Sequence, residues 1–201
     1  MHGHFAKAVK EPHEYLMFAV DPKDAQIWYI LVRNVLGPND EFKGGQYIFR
    51  MNAPDGFPYK PPQFYALTPS GFYGINGTCC ISIGEYHAND YRAAQGMRGF
   101  AVELSNGLMN YKDMGYGINL LTTTIAEKKT YAKDSLAYNQ KHLTRELNLI
   151  LEAYAGYSAK WENIPPNQTL EYLLGTTIAS DTTPVASSSS APSSDTPADT
   201  L

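Results

Sequence analysis

Gln46-Tyr47-Ile48-Phe49-Arg50-Met51 is the stretch that decides the fold class. Tyr47, Phe49 and Met51 fall on alternate positions, and the same alternation runs through Trp28, Ile30 and Val32 within the run from Ile27 to Val35. A period of two puts such side chains on one face of an extended strand. Working outward, Glu14 to Val20 and Gln63 to Leu67 are also rich in aromatic and β-branched residues, and Pro, Gly, Asn and Asp punctuate the gaps. The connections are short, so consecutive strands are expected to pair antiparallel as a four-stranded meander. In the second half the period changes. Phe100, Leu104 and Leu108 recur every four residues, and Ala132, Leu136, Leu143, Leu147, Ile150, Leu151 and Tyr154 make one stripe, which predicts a long C-terminal helix. Strands first and helices after predict an α+β fold with the helices on one face of the sheet.

Size and composition bound what such a domain can do. The chain has 201 residues, enough for one domain of roughly 100 to 150 residues with an appendage. Residues 1–175 are read as that domain, closed by a short helix near Asn167 to Gly175 with an N-cap residue and a terminal glycine. From Thr176 to Leu201 the chain is almost all Ser, Thr, Ala, Pro and Asp, which bury too little apolar surface to offset ordering entropy, so a disordered tail is expected. The net charge is -4 with no basic run, which argues against nucleic acid as a partner. No stretch approaches 18 consecutive apolar residues and the N-terminus lacks a signal-type apolar core, so a soluble, cytoplasmic protein without a membrane span is expected.

Chemistry is expected in the long connection from Pro69 to Ala94, between sheet and helices, because long ordered loops in compact domains are usually functional. It holds both cysteines, Cys79 and Cys80. Neighbouring cysteines bridge only through a strained ring, which excludes a disulfide scaffold, and no further His or Cys lies at zinc-ligand spacing. No metal and no cofactor are expected. By default a free cysteine is a small buried apolar residue. Here, however, Asn76-Gly77-Thr78 precedes Cys80 as a turn with backbone and amide donors, and Glu85, Tyr86 and His87 follow it. A Cys/His protease is a competing reading of the same residues, but the segment lacks the signatures of papain-like or caspase-type sites.

Longer motifs separate these readings. Gly37-Pro38-Asn39-Asp40, then Lys43-Gly44-Gly45-Gln46-Tyr47, then Pro54-Asp55-Gly56-Phe57-Pro58-Tyr59-Lys60-Pro61-Pro62 resemble, without a gap, the core of ubiquitin-conjugating enzymes. Leu67-Thr68-Pro69-Ser70-Gly71, Cys80-Ile81-Ser82-Ile83 and Tyr86-His87 resemble the tail-anchored branch of that family, which serves endoplasmic-reticulum quality control. The resemblance covers about residues 10 to 145 and implies the ubiquitin-conjugating fold. It also implies an acyl carrier that takes ubiquitin from an activating enzyme as a thioester and passes it on, usually with a RING-type ligase. A catalytically silent relative that only binds ubiquitin or a partner enzyme is the alternative. Such relatives typically lack the cysteine.

The resemblance makes Cys80 the ubiquitin-accepting residue and Cys79 a packing residue before it. It makes His87 the gate residue beside the cysteine. Ser70 stands where most members carry an asparagine, so Asn76 is the leading candidate for supporting the oxyanion, with the Ser70 hydroxyl or a backbone N–H behind it. Tyr59 matches an aromatic ligase contact. Lys7 and Lys10 lie in the short first helix, about Phe5 to Lys10, that meets the activating enzyme. The branch is associated with transfer to hydroxyl as well as amine groups, and His87 is the expected general base for a hydroxyl acceptor. It also implies a cis peptide at Phe57-Pro58, and work at the cytosolic face of the endoplasmic reticulum through partners. Ala88 and Tyr91 depart from the branch's proline and tryptophan, so the gate loop is expected to differ in shape.

Overall fold

Trp28, Ile30 and Val32 lie on one side of a strand whose other side carries Tyr29 and Leu31, and all five are buried. In the computed structural model, which describes Gly3, Phe5, Ala8, His13 and residues 15–158 apart from Asn76, the sheet is therefore covered twice. Strands β1 (Leu16–Val20), β2 (Ile27–Arg33), β3 (Gln46–Asn52) and β4 (Gln63–Ala66) pair antiparallel in chain order. Phe18 faces Ile30, Ile30 faces Phe49, and Phe49 faces Ala66 across the register. The meander matches the sequence expectation, as does the cis bond at Phe57-Pro58.

On the first face, Phe18, Trp28, Ile30, Phe49 and Phe64 pack against Met97, Phe100, Leu104 and Leu108 of α1 (Gly96–Met109). Phe49, Phe64 and Tyr73 form a ring cluster with centroids 5.4–6.0 Å apart, mostly edge to face. Each such ring, fully buried, stabilises the fold by about 1.5–3 kcal/mol. On the second face, Met17, Ala19, Tyr29, Leu31 and Ile48 meet Leu147, Ile150 and Tyr154 of α3 (Thr144–Ser158).

The sequence stripe from Ala132 to Tyr154 is thus divided between two helices. Helix α2 (Ile125–His142) stops at Leu143, whose φ of -127° is not helical, and α3 restarts at Thr144. Ala132 belongs to the core of the first face and Leu147, Ile150 and Tyr154 to that of the second. One straight helix could not serve both. The expected single long helix and single covered face are corrected accordingly, while the α+β class stands. The signal was present in β2: alternate residues of one polarity predict one wet face, but Ile27 to Val32 is apolar on both.

Helix α2 begins with a capping box, in which Thr124 Oγ1 accepts from Glu127 N at 3.2 Å and Glu127 Oε2 accepts from Thr124 N at 2.8 Å. Its inward stripe is Lys128, Ala132, Ser135 and Asn139, largely polar yet buried. Ala132 joins the apolar core, whereas Ser135 and Asn139 meet strand backbone. Ser135 Oγ accepts from Gln46 N at 2.9 Å, Asn139 Nδ2 donates to Gln46 O at 2.8 Å, and Thr68 Oγ1 accepts from Ile48 N at 2.9 Å while donating to Asn139. They satisfy strand groups that would otherwise be buried without partners. Helix α3 is tied down by Arg145, which donates to Asp21 Oδ2 at 2.7 Å and to Tyr29 OH at 3.0 Å, and by Tyr154 OH, which donates to Leu16 O at 2.8 Å.

Phe5 packs edge-on against Trp28, with ring centroids 5.4 Å apart. Lys7, Lys10, the expected closing helix near Asn167 to Gly175 and the tail from Thr176 lie outside the described residues. Among the described residues no helix is long and apolar enough to cross a membrane.

Candidate active site

After β4 the chain enters a turn at Ser70, where Oγ accepts from Phe72 N at 3.2 Å and from Tyr73 N at 3.0 Å. Gly71 follows with φ of +74°, in the left-handed region. The chain then runs beside the segment that precedes α2. Leu121 N donates to Phe72 O at 2.7 Å, Gly74 N to Asn119 O at 2.9 Å, and Cys80 N to Ile118 O at 2.9 Å. On its other side, Ile75 bridges Ala66 and Thr78 bridges Tyr65. Cys80 is therefore delivered by a loop that bends at Gly77 and is held between β4 and residues 117–121, which gives the arm its place.

Asn119 braces this arm. It holds φ of 56°, a region that asparagine tolerates better than most side chains. Its Nδ2 donates to Gly74 O at 2.8 Å and to Gly77 O at 3.2 Å, and lies 3.3 Å from Cys79 Sγ. Cys79 is buried, and burial pushes its thiol up to about 11, so it stays protonated at neutral pH. The packing role expected of Cys79 agrees with this burial. Sequence reasoning missed Asn119. It lies some 40 residues from its partners, in a Gly-rich stretch that reads only as a loop.

Cys80 is partly exposed, and its Sγ stands 3.2 Å from His87 Nε2. His87 ends a short turn, Glu85–His87. Glu85 Oε2 accepts from Gln63 Nε2 at 2.6 Å, and Tyr86 OH and Thr78 Oγ1 share a hydrogen bond of 2.7 Å. At the far end of the loop Tyr91 is buried against Phe100, with centroids 6.4 Å apart. Gly117 lies directly against the cysteine, since a Cβ there would stand 3.1 Å from Cys80 Cβ. The arrangement is a surface thiol with an imidazole in hydrogen-bond reach, suited to forming and breaking acyl bonds.

Of the residues singled out in the sequence, Cys80 and His87 come together. Ser70 is buried, and its hydroxyl caps a turn by accepting from Phe72 N and Tyr73 N. Asn76 lies outside the described residues. Tyr59 stands free at 85% exposure beside the Pro61-Pro62 pair, open to contact from outside.

No family model matches the chain. Curated relatives do. The chain is 28% identical over 139 residues to "Ubiquitin-conjugating enzyme E2 J2" of Homo sapiens, covering 68% of this chain and 51% of that protein. It is 30% identical over 134 residues to "Ubiquitin-conjugating enzyme E2 6" of Saccharomyces cerevisiae, covering 65% and 50%. It is 28% identical over 132 residues to "Ubiquitin-conjugating enzyme E2 34" of Arabidopsis thaliana, covering 66% and 54%. The chain spans about half the length of the curated relatives it matches. Among solved structures, human ubiquitin-conjugating enzyme E2 G1 aligns with a TM-score of 0.47 at 20% identity, over 54% of this chain and 91% of that one.

Proposed function

We propose, for a chain that belongs to the ubiquitin-conjugating enzyme family, that Cys80 accepts ubiquitin as a thioester and passes it to an acceptor. The observation that carries this reading is the partly exposed Cys80 Sγ, 3.2 Å from His87 Nε2, beside a second cysteine that is buried. In the charging step, Cys80 loses its proton and Sγ attacks the thioester carbonyl carbon on the activating enzyme. The activating enzyme's C–S bond breaks, and its thiolate leaves and takes up a proton. In the transfer step, an amine or hydroxyl attacks the Cys80 thioester and gives up its proton, and the Cys80 thiolate departs.

His87 is proposed as the general base that takes the acceptor's proton, which lets a serine or threonine hydroxyl compete with a lysine amine. The loop after Cys80 carries Ser82 and His87, and its Glu85 carboxylate accepts from Gln63. Asn76 remains the proposed oxyanion donor. A RING-type ligase is the proposed partner of Tyr59, the activating enzyme that of Lys7 and Lys10, and the cytosolic face of the endoplasmic reticulum the proposed place of work. The residues to 175 form the conjugating domain in this reading, and those from 176 its tail.

The test of the transfer chemistry is discharge of the loaded protein, mixed separately with free lysine, serine and threonine. Serine and threonine discharge that falls in His87→Ala supports the reading. Discharge by lysine alone, or serine discharge at the same rate in His87→Ala, removes His87 from the mechanism.

A further inference from the structure

The segment that carries His87 has little to hold it. It is three residues long, its N-terminus has no side-chain cap, and none of Glu85, Tyr86 and His87 is buried. Its backbone bonds are local, from Gly84 N to Ile81 O, His87 N to Gly84 O and Asp90 N to His87 O. A turn this short is unstable alone, since nucleating helical backbone fixes many dihedrals for few hydrogen bonds. Two side-chain bonds join it to the sheet side instead: Gln63 to Glu85 at 2.6 Å, and Thr78 to Tyr86 at 2.7 Å.

The second bond runs parallel to the reactive pair. Thr78 and Cys80 are two residues apart in the loop, and both side chains reach the Glu85–His87 turn. Tyr86 and His87 are consecutive in the turn opposite. Thr78 with Tyr86, and Cys80 with His87, make two adjacent rungs between arm and turn. Thr78 is itself anchored by its bridge to Tyr65 of β4. The first rung touches no reacting atom, yet it sets the height of the second.

We infer that Thr78 and Tyr86 are positioning residues, a hydroxyl latch that holds His87 within reach of the Cys80 sulfur. The inference rests on the reading of Cys80 as the acyl-carrying thiol. Opening the latch frees the turn and lets the imidazole swing away, so its effect passes through His87. Tyr86 is 41% exposed, so its hydroxyl is replaceable without opening the core.

Two readouts test this on the full chain: the first-order rate of discharge from the loaded protein to free serine, and the rate at which iodoacetamide alkylates Cys80 in the uncharged protein. Variants are Thr78→Val, Thr78→Ser, Tyr86→Phe, His87→Ala and the pair Tyr86→Phe with His87→Ala, each checked by thermal unfolding. A hydrogen bond of ordinary net strength predicts that Thr78→Val and Tyr86→Phe each slow both rates about 2- to 10-fold. Thr78→Ser retains the hydroxyl and the wild-type rates. Tyr86→Phe adds nothing in the His87→Ala background, because residues acting through one group are not additive. Wild-type rates in Thr78→Val or Tyr86→Phe, or an undiminished effect of Tyr86→Phe without His87, overturn the latch. Failure of the wild type to charge sinks the acyl-carrier reading, while alkylation still decides whether the latch exists.

Discussion

Gly117 stands so close to Cys80 that a methyl group on it would lie 3.1 Å from the cysteine Cβ and 2.7 Å from Leu120 Cδ1. The end of the Leu120 side chain can turn aside, but Cys80 Cβ is fixed to backbone that the bond from Cys80 N to Ile118 O holds, so it retreats only if the arm moves. Gly117→Ala is expected to shift the thiol relative to His87 and slow charging several-fold, with Gly117→Val slower again. Charging kinetics at limiting activating enzyme measure this. Wild-type rates in both variants would show that the arm yields freely.

The two adjacent cysteines differ in chemistry because only one is buried. With its thiol pushed up to about 11, Cys79 has roughly one thiolate in a thousand molecules at pH 8. Brief treatment with iodoacetamide at that pH should modify one site per molecule, mapped to Cys80 by peptide mass. Cys79→Ala should label as the wild type does, and Cys80→Ser hardly at all.

The second covered face makes a stability prediction. Ile150 is fully buried between α3 and the sheet, and Ile150→Ala should cost about 2–5 kcal/mol. On α2 the stabilising contacts are polar. Thr68→Val keeps the shape but removes the acceptor of the buried Ile48 N–H and a donor to Asn139, at a cost of about 1–3 kcal/mol. Denaturant unfolding measures both. A neutral Ile150→Ala would mean that α3 does not cover the sheet in solution.

Asp21 links that face to pH. The hydrogen bond from Arg145 is the largest influence holding its carboxyl below the usual range, followed by the bond from the Lys23 backbone. A carboxyl lowered on folding adds stability above its unfolded value, near pH 4, and loses it as pH falls through the lower folded value. Asp21→Asn should therefore unfold at a lower temperature than the wild type at pH 7, with the gap closing below about pH 4. Arg145 is 47% exposed, so added salt should narrow the gap as well. A gap that widens on acidification would contradict the assignment.

What the sequence displayed follows from how local each signal is. The strands were legible because β-branched and aromatic runs carry their period within six residues, and the Cys80 loop because the flanking motifs are contiguous. The break at Leu143 was not, since its neighbours keep a helical stripe and only the two packed faces distinguish Ala132 from Leu147. The inward stripe of α2 hid for a different reason: Lys128, Ser135 and Asn139 read as a wet surface, while Ser135 and Asn139 find their partners in backbone groups of Gln46, far along the chain, and Lys128 turns back to Thr123. Asn119 escaped on the same ground. Ser70 was legible as a member of the loop but not in its direction, which depends on the turn that its own hydroxyl caps.

The central claim is that Cys80 alone carries the acyl group. It is tested by incubating the protein with ubiquitin-activating enzyme, ATP and ubiquitin, then comparing non-reducing with reducing gels for the wild type, Cys79→Ala, Cys80→Ser and Cys80→Ala. The account predicts one adduct that thiols remove in the wild type and in Cys79→Ala. It predicts at most a thiol-resistant ester in Cys80→Ser and no adduct in Cys80→Ala. A thiol-sensitive adduct that persists in Cys80→Ala and disappears in a folded Cys79→Ala would contradict it.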